Sequence, residues 1–406
     1  MPTEIIYLDY NATTPVDSAV LEAMLPYLRE RFGNPSSQHA YGRSACEALD
    51  LARAEVAALI GAQPDEIVFT SGGTEATNHA LKGLAFAAPA GSDRPQVVVS
   101  AVEHPATLET ARFLERVGFK LTVVGVDSYG RIDLPALDAA LGEPTLVVSL
   151  MHANNETGTL QPLTEAARLT RERGALVHVD AAQSAGKIPV DVTELGADLL
   201  SLAGHKLYAP KGIGALYVRR GVRLAPLVHG AGQESGQRAG TQNVPYSVGL
   251  GAACRMARET LPETSGRMRE LRDRLWSRLA TALGDRVVLN GHARERLPNT
   301  LNASFVGLIG SELLAAAPEI AASTGSACHD GRVSVSPVLA AMNVDPLVAR
   351  GAVRLSVGRY TTETEIDRAA AMLVRAVERA GEITPSDPDA PGPNADPSIY
   401  DHFHLY

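Results

Sequence analysis

Cysteine is scarce, with three residues, Cys46, Cys254 and Cys328, in a chain of 406. An odd number set so far apart argues against a disulfide framework and for a reducing compartment, with the cytoplasm as the expectation. Long apolar runs are also missing. No stretch approaches the roughly 18 apolar residues that cross a bilayer, and Met1 to Tyr10, which carries Glu4 and Asp9, does not read as a secretory signal. Positive charge is in deficit: a formal net charge of -9 disfavours a protein that coats nucleic acid or anionic lipid. What is present is ordinary globular material, 45% hydrophobic and 20% charged, so the body of the chain folds. At roughly 150 residues per domain the length suits two to three domains.

Between about 60 and 220, short β-branched runs alternate with helical patterns. The runs are Ile67 to Phe69, Gln96 to Ser100, Leu121 to Val126, Leu146 to Met151, Leu176 to Asp180, Leu199 to Leu202 and Ala215 to Val218. Continuous apolar strands are those covered on both faces, so an α/β fold with a mainly parallel sheet is predicted. Ahead of them Ala45, Leu49, Ala52, Val56 and Leu59 form one apolar stripe on a helical period, with Cys46 beside it in a structural role. Met268, Leu271, Leu275, Leu279 and Leu283 form a second such stripe, expected to open a smaller C-terminal domain that closes with a helix around Glu365 to Ala380. After Glu382 the chain turns rich in Pro and Asp, which predicts an extended tail.

Four stretches carry chemistry. Thr70-Ser71-Gly72-Gly73-Thr74-Glu75 follows a strand and precedes a helix, where free amides and glycines make a phosphate cradle. It lacks the Gly-Lys-Ser/Thr ending of a nucleotide loop, and taken alone it fits an ordinary glycine turn equally well. Asp180 ends an apolar strand, the edge at which open α/β sheets bind ligands. There it can hold a heterocycle nitrogen protonated, or simply cap a helix. Lys206, in Ala203-Gly204-His205-Lys206, also follows a strand; a lysine that loses hydration beside a sheet edge can form a Schiff base, whereas the usual lysine is a surface residue. Cys328 sits among small and polar residues in Ser326-Ala327-Cys328-His329, as a candidate reactive thiol or a buried inert one.

In order and spacing these segments resemble the cysteine desulfurase family, of NifS and IscS type, among the pyridoxal-phosphate enzymes of aminotransferase class V and fold type I. The resemblance also rests on Tyr7-Leu8-Asp9-Tyr10-Asn11-Ala12-Thr13-Thr14-Pro15, Val102-Glu103-His104, His152-Ala153-Asn154-Asn155-Glu156, Arg238-Ala239-Gly240-Thr241 and Arg354-Leu355-Ser356. It implies a large cofactor-binding domain at 16–262 with a seven-stranded sheet, a small α+β domain from 1–15 and 263–382, and a flexible tail at 383–406. It implies that Lys206 is joined to pyridoxal 5'-phosphate, Asp180 faces the ring nitrogen and Gln183 the ring hydroxyl, and His104 stacks on the ring as acid/base. Gly73, Thr74 and His205 would hold the phosphate, and Thr241 would reach it from the other subunit of a homodimer. Arg354 and Asn155 would bind the carboxylate of L-cysteine, and Cys328 would take its sulfur as a persulfide, for a thiolation or iron-sulfur scaffold acceptor. No catalytic metal is expected.

The chain departs from the pattern of the iron-sulfur enzymes at two places. Ala203 stands where they usually carry a phosphate-touching serine, and His329 with Ser336-Pro337-Val338-Leu339 is similar instead to selenocysteine lyases. A selenocysteine or other C-S lyase on this scaffold is therefore the alternative reading. A non-catalytic sulfur-transfer scaffold is a third, opposed by intact Lys206, Asp180 and Cys328.

Overall fold

The computed structural model describes residues 5–88, 95–324 and 335–383. Its strands are β1 (Ile6–Tyr7), β2 (Ile67–Thr70), β3 (Gln96–Ser100), β4 (Lys120–Val124), β5 (Thr145–Met151), β6 (Leu176–Asp180), β7 (Leu199–Ala203), β8 (Gly214–Val218), β9 (Val287–Leu289), β10 (Thr300–Phe305), β11 (Ile320–Ala321) and β12 (Ala352–Ser356). The helices are α1 (Ser18–Arg29), α2 (Ala40–Leu59), α3 (Gly73–Ala87), α4 (Pro105–Arg116), α5 (Leu134–Ala140), α6 (Leu163–Glu172), α7 (Val244–Leu283), α8 (Gly310–Ala315), α9 (Pro337–Ala341), α10 (Pro346–Ala349) and α11 (Glu363–Ile383).

Seven strands form one sheet in the order β2-β8-β7-β6-β5-β3-β4. All its pairings are parallel except those of β8, which runs against both neighbours. The seven apolar runs of the sequence are these seven strands. Val97, Val98 and Val99 are fully buried because helices cover both faces, which is why no polar alternation marks the strand. A second, antiparallel sheet has the order β12-β10-β9 and packs a separate core around Leu301, Phe305, Leu355 and Leu373.

The stripe from Met268 to Leu283 belongs to a helix that starts far earlier than its pattern. α7 is continuous over 40 residues, about 60 Å of helix. Its first part buries Leu250, Ala253 and Cys254 against the core of the large sheet, and its last part buries Met268, Leu271 and Leu275 in the second core. Between them no residue from 258 to 267 is buried, and Pro262 lies in that stretch. The expected boundary between 262 and 263 falls inside this helix. Cys46 departs from expectation: one residue off the apolar stripe of α2, it is exposed, with Asp50 one turn away, whereas Cys254 is buried.

Candidate active site

The strands of the large sheet end, on their C-terminal side, at a cavity of about 390 Å³. Gly73, Thr74, His104, Asn155, Asp180, Gln183, His205, Lys206 and Arg354 line it, with Asn11, Ala12, Met151 and Ala203. Nine of the eleven residues singled out in the sequence thus meet in one place. Thr241 does not; it is exposed in the loop before α7. Cys328 lies outside the described residues.

One end of the cavity is a turn of bare amides. α3 begins at Gly73, and the first N-H groups of a helix have no acceptor within it. A Cβ at Gly73 would come to 3.2 Å from the Cβ of Ala203, so only glycine leaves that corner open. Glu75 accepts from the N-H of Ser71 at 2.9 Å, which ties the turn to the helix behind it. His205 stands alongside, its Nδ1 3.2 Å from Thr13 Oγ1. Burial, followed by Lys206, lowers its pKa to about 4, so the ring is neutral at pH 7.

The middle carries the titrating groups. Asp180 ends β6 half-buried at the cavity, accepts the N-H of Ala182 at 2.9 Å, and is in no ion pair among the described residues. Burial raises its pKa, because a carboxylate there has lost water and gained little. His104 caps α4, its Nδ1 accepting from Ala106 N-H at 3.1 Å, and burial lowers its pKa. Lys206, one turn beyond β7, donates to the carbonyl oxygens of Asn11 at 2.5 Å and Ala12 at 2.7 Å. Burial, then Arg354, lowers its pKa to about 8, so a neutral amine is within reach near neutral pH.

The far end is built across long sequence separations. Arg354 on β12 donates to Asp9 Oδ1 at 2.8 Å and to the carbonyl of Asn155 at 3.2 Å. Its buried Nε has no partner among the described residues, and the residue lines the cavity. The Asn154-Asn155 pair divides its work. Asn154 Oδ1 accepts the amides of Glu156 and Thr157 and shapes the turn, and Asn155 lines the cavity. Both flanks of residues 325–334 are anchored here: Ser323 pairs through its backbone with Arg354, and Ser336 Oγ donates to Glu156 at 2.5 Å.

Sequence reasoning gave no role to Asn11 or Lys187. Asn11 is 1% exposed and touches Gln183, Lys187, Lys206, Asn155, Asn299, Thr300 and Ser356. Asn11 stands in the Tyr7 to Pro15 motif but was given no role there, and nothing local pointed to Lys187.

Residues 6–369 match the model of the class-V aminotransferases. The chain is 44% identical over 382 residues to the cysteine desulfurase IscS of Dictyoglomus turgidum, covering 94% of this chain and 96% of that one. The chain belongs to the cysteine desulfurase family of class-V aminotransferases. Among solved structures it is similar to a NifS-like protein, with a TM-score of 0.85 and 40% identity over 93% of this chain and all of that one. It is also similar to SspA in complex with cysteine, with a TM-score of 0.77 and 37% identity over 88% of this chain and 99% of that one.

The cofactor of this class of enzyme is pyridoxal 5'-phosphate, and the cavity suits it. Bare α3 amides and the neutral His205 match a phosphate. The Asp180 carboxylate, in no ion pair among the described residues, suits a protonated ring nitrogen, and the Lys206 amine suits an aldehyde. Ala203 offers no side-chain hydrogen bond there, whereas the α3 amides and His205 do.

Proposed function

We propose that the protein is a homodimeric, cytoplasmic cysteine desulfurase that converts L-cysteine to L-alanine and leaves the sulfur as a persulfide on Cys328. The observation that carries this reading is the one cavity lined together by the Asp180 carboxylate, a lysine of lowered pKa and the Arg354 guanidinium. Pyridoxal phosphate, when bound, supplies an electron sink for the pair left at the substrate α-carbon. Asp180 would hold the ring nitrogen, His104 would stack on the ring, and Gly73, Thr74 and His205 would hold the phosphate.

Arg354 and Asn155 orient the substrate carboxylate, the guanidinium being held in place by Asp9. Lys206, titrating near neutrality, takes the α-proton and can return it. The Cys328 thiolate attacks the substrate sulfur, an S-S bond forms as the C-S bond breaks, and the carbon, once protonated, leaves as alanine. Ser323 and Ser336, described residues on either side of Cys328, bond to Arg354 and to Glu156. The persulfide then passes to a thiol acceptor, a scaffold for iron-sulfur assembly or thiolation.

Thr241 reaches the neighbouring subunit's phosphate in this reading. Its loop is exposed yet pinned to its own cradle, Arg238 to Glu75 at 2.9 Å and Gln242 to Glu234 at 2.5 Å. Among the described residues no helix is long and apolar enough to cross a membrane.

The test is Cys328→Ser incubated with L-cysteine and dithiothreitol. Alanine and sulfide formation should fall by at least about 100-fold, as expected when a nucleophile is removed. Parental rates in the variant would show that sulfur leaves without Cys328. The same assay with L-selenocysteine decides the alternative: a large preference for selenium that survives Cys328→Ser makes the protein a selenocysteine lyase.

A further inference from the structure

Lys187, four residues after Gln183 and behind the cavity, is 6% exposed. Its Nζ donates to Gln183 Oε1 at 2.8 Å and to Asn11 Oδ1 at 3.3 Å. No carboxylate pairs with it among the described residues. The charges that face it are cations, Lys206 from the end of β7 and Arg354 from β12. Arg359 and Tyr208 line the small space between Lys187 and Lys206, and Arg359 is already paired with Asp17 at 3.0 Å.

We propose that Lys187 is a positioning residue that works as an uncharged amine, fixing the Gln183 and Asn11 carboxamides so that their N-H groups serve the cavity. The proposal rests on the reading that Gln183 meets the cofactor. An ammonium has three protons to place and finds two acceptors, both neutral, whereas an amine places two. An unpaired buried charge neutralises instead, and burial with two cationic neighbours holds this group well below the ordinary lysine range.

The two ends of a carboxamide are nearly alike in shape and opposite in hydrogen bonding. A partner that offers protons decides which end it meets. With Oε1 on Lys187, Gln183 turns its NH2 to the Asn11 carbonyl at 2.9 Å and keeps a second N-H for the cavity it lines. With Oδ1 on Lys187 and on Asn299 at 2.9 Å, Asn11 sends its NH2 to the Asn155 carbonyl at 3.1 Å and to Thr300 Oγ1 at 2.8 Å. The Asn11 carbonyl also takes Lys206. One amine thus sets the direction of hydrogen bonds from the reactive lysine to the substrate end.

Two measurements test it. In the cofactor-free protein, Lys187→Met should gain stability relative to the parent as pH falls from 10 to 7. The unfolded lysine titrates near 10.4 and the folded one lower, so the unfolded parent binds more protons in that window and its stability rises with pH. Methionine has no such slope. Parallel curves for parent and variant would mean a charged Lys187 and overturn the proposal.

The second is equilibrium uptake of pyridoxal phosphate by the cofactor-free protein. Lys187→Met and Gln183→Leu should each weaken binding about tenfold, and the double variant should be no weaker than Gln183→Leu alone. Additive losses would overturn the orienting role. If Lys187→Met does not fold, Lys187→Gln keeps a donor and should bind within about threefold of the parent; a loss as large as that of Gln183→Leu overturns the proposal. A parent that takes up no pyridoxal phosphate sinks the reading of the cavity and the proposal with it, and is recognisable because no variant is needed to see it.

Discussion

The two ends of the cavity are built differently. The end proposed for the cofactor comes from local pieces of one sheet: the β2 to α3 turn, the tip of β6 and the tip of β7. The substrate end joins Asp9, Asn155 and Arg354, whose contacts span 345 and 199 residues. Local geometry places the first set, since a strand tip in a parallel sheet points its residue at the ligand edge whatever the rest of the chain does. Only the finished fold places the second. Damage to the first should therefore remove chemistry, and damage to the second should loosen substrate while leaving the cofactor in place.

Lys206→Ala makes the largest break. Turnover of L-cysteine should fall by at least about 10³-fold, within the range for losing a general base, and more because the covalent hold on the cofactor goes too. Borohydride reduction followed by peptide mapping should find the cofactor on the peptide containing Lys206 in the parent and nowhere in the variant. An adduct elsewhere would dissolve the distinction between the two ends.

Arg354→Lys is the matching change at the other end and should be milder. Lysine keeps the charge and loses the planar two-point grip. KM for L-cysteine should rise about 10- to 100-fold, the equivalent of one charge-assisted hydrogen bond. The absorbance of the bound cofactor should stay as in the parent. A changed spectrum with an unchanged KM would put Arg354 in the wrong half.

The same division governs what the sequence revealed. Val97 to Val99 and Leu199 to Leu202 are continuous because both faces are covered, so their strands were legible without a neighbour in view. Strand tips drew notice to Asp180 and Lys206, whose roles came only with the family resemblance. α7 was not legible, because its apolar stripe changes partner between Ala257 and Met268 and Pro262 reads as a stop. Cys46 was rightly set beside the stripe, but that position on the helix faces solvent, so the structural role given to it does not hold. Asn11 and Lys187 escaped because their side-chain hydrogen bonds, apart from that of Lys187 to Gln183 one turn before it, go to distant segments. Their roles exist only once residues 288 and 176 positions apart are brought together.

The smallest expected effect tests whether the cofactor end is rigid for a reason of its own. His178 lies two residues before Asp180 on β6, on the same face, and is fully buried. Its Nδ1 meets Ser149 Oγ at 2.7 Å and its Nε2 meets Ser201 Oγ at 2.8 Å, while Thr77 of α3 donates to Ser201 at 3.2 Å. This chain ties β5, β6, β7 and the phosphate helix together beneath Asp180. Ser201→Ala leaves one buried ring nitrogen without a partner, which costs about 1–3 kcal/mol. Chemical denaturation of the cofactor-free protein at pH 7 should show that loss, with KM for L-cysteine unchanged. Burial lowers the His178 pKa to about 3, against roughly 6.5 when unfolded. The unfolded state therefore binds more protons between those values, and stability falls as pH drops through that window in parent and variant alike. A variant that lost the acid slope would mean that the ring had left its buried place, and the strand tips would then owe their geometry to something other than this chain.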